Sequence, residues 1–141
     1  NNKEVIKMSN IKERVVKGKY QKGDLYKRER HEAINYIEEK YPETAKEFQR
    51  LQFEQYLLFC KKQMDYGPSN IAMGTSLDTD EEKRLSKIGL IVRINDKVQR
   101  LINLVVKNNR KAQNEPTIDA FKDLACYGII AQIVEAGKWG K

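Results

Sequence analysis

Charged side chains at helical spacing are the feature of this sequence with the clearest chemical potential. One stripe combines three cations with an acid at i, i+3, i+4 and i+7: Arg93, Asp96, Lys97 and Arg100. This spacing places all four on one face of a helix. The residues between and around them are largely apolar, and a helix that is apolar around most of its circumference is expected to be buried. Its charged face therefore needs either compensating charges or a charged ligand.

A second stripe, on the next predicted helix, is acidic: Glu115, Asp119 and Asp123 are spaced by four. Arginine and lysine bind phosphate oxygens, whereas Mg²⁺ prefers carboxylate oxygens and usually shares its coordination with substrate phosphates. Two interpretations stay open at this point. The stripes could form an ion-pair network that needs no ligand, or they could line a polar pocket for phosphate and metal.

The tripeptide Asp65, Tyr66 and Gly67 ends the helix that precedes these stripes. One interpretation of Tyr66 is an aromatic ring buried at a helix terminus. The other is a ring that stacks on a base or lines a pocket, with Ser69 and Asn70 offering polar contacts from the following loop. Local chemistry favours the first interpretation, a ring buried at the helix terminus.

Several other chemistries are disfavoured by residue type. His31 is the single histidine, so no imidazole-based triad can be assembled with Cys60 or Cys126, and zinc lacks ligands. No glycine-rich phosphate loop of the dinucleotide or P-loop kind occurs. Both cysteines lie in helical apolar patterns, which predicts core residues in a reducing compartment.

Helix signals predict an all-α fold, a compact bundle of about four helices in a single domain over residues 27–141. The predicted helices are 27–40, 42–64, a third from 78–80 to 107, and a fourth from 114–115 to 135–137. Pro42 suits a helix start, and Gly67 with Pro68 suits a helix end. Residues 65–80 are predicted to be a long loop. Gly137 and Gly140 predict a frayed tail.

The excess of positive charge lies at the N-terminal end. The chain carries a net charge of +7, and residues 1–30 hold ten basic against four acidic side chains. We expect residues 1–26 to form a basic, partly flexible arm that could contact nucleic-acid phosphates, although such runs are usually solvated surface. No stretch is apolar enough to span a bilayer and no secretory leader is visible, so the sequence predicts a cytoplasmic protein without membrane contact.

Three segments, taken in order, resemble the small phage and prophage proteins of the nucleotide-modification-associated domain 1 family. The segments are DYG at 65–67, IGLIVRINDKVQRLINL at 88–104 and EPTIDAFKDLACYGII at 115–130. The family-like positions include both charged stripes, Asp65, Tyr66, Gly67 and Tyr127, and the similarity covers roughly residues 50–135. Cys126 stands where the family usually has asparagine, and Ala120 stands where it often has threonine.

The resemblance implies an all-α phage or prophage protein of nucleotide or modified-base metabolism, in the cytoplasm of a bacterial host. By analogy, the chain is also similar to the all-α Mg²⁺-dependent nucleoside triphosphate pyrophosphatases. The combined prediction is a homo-oligomer that binds a nucleotide or nucleotide-like phosphate between its last two long helices. The predicted ligand contacts are Arg93, Lys97, Arg100, Tyr66 and Asp65, and the predicted Mg²⁺ contacts are Glu115, Asp119 and Asp123.

Three functions remain open for such a protein. An enzyme would hydrolyse a phosphoanhydride with metal assistance. A non-catalytic binder would sequester a nucleotide signal. A nucleic-acid-associated protein would act through the basic arm at residues 1–30.

Overall fold

The computed structural model describes residues 32–141, so the predicted arm at 1–26 and the start of the predicted first helix lie outside the described residues. The described chain forms α1 (Glu32–Lys40), α2 (Pro42–Tyr66), α3 (Ser69–Ala72), α4 (Asp80–Leu101) and α5 (Thr117–Glu135). A π-helical segment, Ile102–Lys107, continues α4. Residues 32–141 contain no strand, and the all-α prediction is confirmed. None of these helices is long and apolar enough to cross a membrane.

The chain divides into two units, Asn1–Phe48 and Gln49–Lys141. In the first, the structure describes α1 and the first turns of α2. No residue of α1 is buried. The ammonium group of Lys40 donates to the Tyr36 hydroxyl at 2.7 Å and lies 5.5 Å from the Tyr41 ring centroid. These are surface contacts, so the core lies in the second unit.

Helices α4 and α5 form the centre of the second unit and run antiparallel. Lys87 near the start of α4 pairs with Glu135 at the end of α5. Lys97, ten residues further along α4, pairs with Asp123, which lies earlier on α5. Residues further along α4 thus pair with residues earlier on α5, so the two helices run antiparallel. This arrangement brings the two predicted charged stripes to one interface.

Local sequence chemistry sets the helix boundaries. Gly67 has a φ of +63°, a left-handed conformation that ends α2. Thr79 begins α4 with a capping box, in which its side chain accepts from the Glu82 amide and the Glu82 carboxylate accepts from the Thr79 amide. The prediction of a long loop at 65–80 was wrong in one respect, because this segment contains the short helix α3. Ser86 holds α3 against α4 by donating to the Ile71 carbonyl at 2.6 Å.

The C-terminal tail is part of the core, so the prediction of a frayed tail was wrong. Trp139 is 5% exposed and belongs to the same buried cluster as Leu77, Leu90 and Val134. Its indole N–H donates to the Pro68 carbonyl at 3.0 Å. A buried indole with a satisfied N–H offsets the flexibility that Gly137 and Gly140 introduce.

The prediction that α4 is buried around most of its circumference was also wrong. Only Ser86 and Leu90 of α4 are buried, whereas Ile91 and Val92 are more than half exposed. One face of α4 packs on α5 and α3. The opposite face is apolar but has no cover within the described part of the chain.

Candidate functional site

A cleft of about 340 Å³ opens within the second unit, between the C-terminal end of α2, the start of α3 and the inner faces of α4 and α5. Its polar lining comes from Lys62, Gln63, Asn70, Arg93 and Asp123. Its apolar and aromatic lining comes from Phe59, Tyr66, Ile71, Cys126, Tyr127, Ile130 and Trp139. Small-molecule sites usually have this size and this mixture of apolar walls with few polar groups.

Arg93 and Asn70 form one polar corner of the cleft. The Arg93 guanidinium donates through Nη2 to the backbone carbonyl of Asn70 at 3.0 Å. The side-chain oxygen Oδ1 of Asn70 is buried and has no hydrogen-bond partner. A buried acceptor without a partner keeps its full desolvation cost, and such groups are rare in folded proteins. The corner therefore offers a fixed cation beside an acceptor that a donor could satisfy.

Asp123 forms the second polar corner and is held by two lysines. Lys97 Nζ lies 2.8 Å from Asp123 Oδ2, and Lys62 Nζ lies 3.3 Å from Asp123 Oδ1. Burial alone would raise the pKa of the Asp123 carboxyl, but the hydrogen bonds and charges of the lysines outweigh it and lower the pKa below its usual 3.8. The hydrogen bond to Asp123 raises the pKa of Lys97, and partial burial does not cancel this effect.

The lowered pKa of Asp123 predicts a pH-dependent contribution to stability. The Asp123 carboxyl group has a lower pKa in the folded protein than in the unfolded chain. Its contribution to stability is therefore present above pH 3.8 and is lost as the pH falls through the lowered pKa of the folded state. We expect Asp123→Asn to reduce the free energy of unfolding at pH 7 by about 1 to 2 kcal/mol, because its charged hydrogen bonds are partly screened by solvent. The difference from wild type should shrink in acid, as measured by urea unfolding.

Asp119→Asn is the matched control for this measurement. Its carboxylate is 40% exposed, and within residues 32–141 its ion-pair partner is Lys122 of its own helix, at 3.7 Å. The control should change stability by less than about 0.5 kcal/mol. An equal loss for both variants, or a loss for Asp123→Asn that persists in acid, would contradict the ion-pair account.

Aromatic rings form the walls of the cleft. Phe59 packs edge-on against Trp139, with ring centroids 6.1 Å apart. Tyr66 is 65% exposed at the end of α2, and Tyr127 is half-buried on α5. Burial raises the pKa of the Cys126 thiol, which keeps it protonated and agrees with a packing role. The walls can therefore hold a flat ring, with Tyr66 as the exposed edge.

Arg100 lies outside the cleft, although it shares the helix face of Arg93. Its guanidinium donates to the backbone carbonyls of Glu115 and, at 3.5 Å, of Pro116. These carbonyls belong to the segment that leads into α5. Arg100 therefore joins the end of α4 to the segment that leads into α5, and it does not line the cleft.

The three predicted Mg²⁺ contacts do not converge. Glu115 precedes the first residue of α5, so the helical spacing that would align it with Asp119 does not apply there. Asp119 meets Lys122, and Asp123 meets Lys62 and Lys97. Among residues 32–141 no group of three acids, histidines or cysteines fits a metal. Mg²⁺ binding by the acidic stripe stays a prediction.

The structure thus brings together part of the predicted site. Tyr66, Arg93 and Asp123 line the cleft, and Lys97 contacts it through Asp123. Asp65, Arg100, Glu115 and Asp119 are not in its lining. Sequence reasoning missed Lys62, whose signal was its spacing of four from Tyr66 on α2. It also missed Trp139, which carried no local signal beyond being the single tryptophan.

Comparison with known proteins adds no family to this description. No protein-family model matches the chain, and searches of curated proteins and of solved structures give no match. The resemblance to nucleotide-modification-associated domain 1 therefore stays a prediction. The geometry of the cleft is the basis for the functional proposal.

Proposed function

We propose that this protein binds a nucleotide or nucleotide-like phosphate ligand in the cleft, with the ring against Tyr66 and Tyr127 and the phosphate near Arg93 and Lys62. The observation that carries the proposal is the polar corner of Arg93 and Asn70 beside aromatic walls. Such a cleft suits a ligand that is flat and apolar at one end and anionic at the other. It is too small for a duplex, which favours a small molecule.

Charge in and around the cleft supports an anionic ligand. Lys62 and Arg93 line it as cations, and Asp123 is the one acid among its lining residues. Lys97 pairs with Asp123 and so places a third positive charge beside the cleft. The excess positive charge acts in a partly buried site, where electrostatic interactions are stronger than in bulk water. A phosphate would balance this excess.

The unsatisfied Asn70 oxygen supports a ligand that also donates a hydrogen bond. The Arg93 contact to the Asn70 backbone uses one of the five N–H donors of a guanidinium. Rotation of the Asn70 side chain would bring its shielded Oδ1 to the cleft surface, where it can accept from an N–H group of a base, while other Arg93 donors reach a phosphate oxygen. A base and a phosphate on one molecule meet both requirements.

Of the catalytic and non-catalytic alternatives, the ion pairs of Asp123 favour a non-catalytic binder. Both oxygens of this carboxylate already accept from lysines, so the acid that lines the cleft is neutralised by the protein itself. A protein that only binds a nucleotide signal does not need an acid that is free to take part in a reaction. The homo-oligomer, the phage setting and the nucleic-acid role of the arm remain predictions.

Calorimetric titration of the full chain with a panel of nucleotides tests the proposal. The panel contains mono- and triphosphates of each base, the matching nucleosides without phosphate, and inorganic phosphate, each with and without Mg²⁺. We expect at least one nucleotide to bind and its nucleoside to bind at least tenfold more weakly. Failure of every nucleotide to bind, or equal binding of nucleotide and nucleoside, would contradict the proposal. Loss of nucleotide over time would indicate hydrolysis and overturn the choice of a binder.

A further inference from the structure

Helix α4 and its π-helical continuation carry two opposed faces. The inner face consists of positions spaced by three and four: Ser86, Leu90, Arg93, Lys97, Arg100 and Leu104. It includes the buried residues of this segment and the residues that contact α3 and α5. The opposite face repeats the same spacing from Leu85 to Val106. This second face is the subject of the inference.

We define the outer face by two sets of residues. The central positions are Leu85, Ile88, Val92, Asn95, Gln99, Ile102 and Val106, and Ile91, Val98 and Val105 flank them at intervals of seven. Seven of these apolar side chains are more than a third exposed, with Ile91 at 62% and Val106 at 74%. The part of this face on the α-helix, residues 85–101, is roughly 25 Å long and about 10 Å wide. An apolar stripe of this extent usually marks an interaction site.

We infer that the outer face packs against the outer face of a second copy of this chain, so that the protein is a homodimer. Alternating intervals of three and four are the pattern that lets side chains of two helices interlock along a seam. A closed two-fold dimer requires a surface that is complementary to itself. The composition of the outer face meets this requirement.

Charge identifies the second copy as the partner. None of the ten outer-face residues is charged, and the two charges at the start of the stripe, Glu81 and Arg84, pair with each other at 3.0 Å. Two copies therefore meet without strong like-charge repulsion, and a highly charged partner finds little complement. Asn95 lies at the middle of the stripe between Leu85 and Val106. In a parallel or an antiparallel seam, Asn95 therefore meets Asn95 of the second copy. An amide both donates and accepts, so it is complementary to itself.

Helix α2 also exposes apolar side chains, such as Phe53 and Leu57 at 41% and 46%. Helix α5 offers the rival surface that allows a matched comparison. Its outward side exposes Ile118, Phe121 and Ile129, but it lacks the long repeat found on α4. Ile129 is 53% exposed, close to the exposure of Ile91. The same substitution at Ile91 and Ile129 therefore compares the two surfaces with side chains of equal type and similar exposure. Neither isoleucine lines the cleft, so the comparison is independent of the proposed ligand.

Sedimentation equilibrium of the full chain tests the inference. Wild type and Ile129→Lys should sediment at twice the chain mass of 16.5 kDa. Ile91→Lys should raise the dimer dissociation constant at least tenfold, because the seam would have to bury an unpaired ammonium group. Circular dichroism should show unchanged helix content in both variants. A monomeric wild type, or a dimer that a folded Ile91→Lys preserves, overturns the inference.

If Ile91→Lys fails to fold, cross-linking tests the dimer seam instead. Asn95→Cys should cross-link two chains with a short thiol-specific reagent, above the background from Cys60 and Cys126. Gln132→Cys, on the outward side of α5, should stay at background. Absence of the Asn95→Cys cross-link, or a cross-link at Gln132→Cys alone, would show that the seam lies elsewhere.

Discussion

Replacing Trp139 with alanine is expected to lower the free energy of unfolding by about 3 to 5 kcal/mol, the range for deleting a buried aromatic side chain. The indole is 5% exposed, touches Phe59 edge-on and donates to the Pro68 carbonyl. Its loss leaves a cavity in the core and removes one of the donors to the Pro68 carbonyl, which still accepts from the Ile71 and Ala72 amides of α3. For a domain of this size, the melting temperature should fall by about 10 to 20 °C, as measured by calorimetry.

Two variants make the Trp139 measurement specific. Lys138→Ala changes an exposed neighbour and should shift stability by less than about 0.5 kcal/mol. Trp139→Phe keeps an aromatic ring but removes the N–H donor, so it should fall between wild type and Trp139→Ala. If Trp139→Ala unfolds at the same temperature as Lys138→Ala, the tail is not part of the core.

Replacing Arg93 with alanine is expected to weaken binding of the nucleotide found in the calorimetric panel by about 10- to 150-fold. This range corresponds to the loss of a charge-assisted hydrogen bond worth about 1.5 to 3 kcal/mol. Arg93→Lys should give an intermediate loss, because it keeps the charge but not the planar fork of donors. Calorimetric dissociation constants for the three proteins measure the effect.

Arg100→Ala is the control that separates a binding residue from a structural one. Arg100 lies on the same face of α4, but its donors contact the carbonyls before α5. We expect it to lower the melting temperature and to change the dissociation constant by less than about threefold, within the variation expected for a residue outside the site. Equal loss of affinity in Arg93→Ala and Arg100→Ala would contradict the location of the ligand in the cleft.

The helices were predictable because local chemistry specifies their ends. Pro42 begins α2, Gly67 ends it and Thr79 caps α4, and each acts through residues within a few positions. The short helix α3 was not predictable in the same way. It is held by Ser86, which lies 15 residues beyond the carbonyl that it contacts. Contacts at such separation are not visible in local patterns.

The candidate site was predictable only as far as helix faces determine it. The spacing of Arg93 and Lys97 indicates one shared face of α4, and on this inner face Arg93 donates to the Asn70 carbonyl of α3 and Lys97 pairs with Asp123 of α5. Spacing gives the direction of a side chain but not what lies opposite each turn. Arg100 therefore shares the face and yet meets backbone carbonyls. Glu115 lies before α5, so the helical period could not align it with Asp119.

The contribution of the tail could not be predicted from local sequence. Trp139 reaches Pro68 across 71 positions, and the glycines on either side of it are typical of a chain end. A Cβ added to Gly140 would lie 3.0 Å from the Pro68 Cβ, so the close approach itself requires glycine. The glycines that indicated fraying instead permit the tail to pack.

The central claim is that a nucleotide binds in the cleft, and its location can be measured directly by NMR titration of the labelled full chain. The chain has a single tryptophan, so the indole N–H of Trp139 gives one resonance that reports on the cleft. We predict that the binding nucleotide shifts this resonance together with the side-chain signals of Asn70 and Arg93, and leaves that of Arg100 in place. Shifts confined to residues 1–31 or to the region of Arg100 and Glu115, with the Trp139 and Asn70 signals unchanged, would contradict the account.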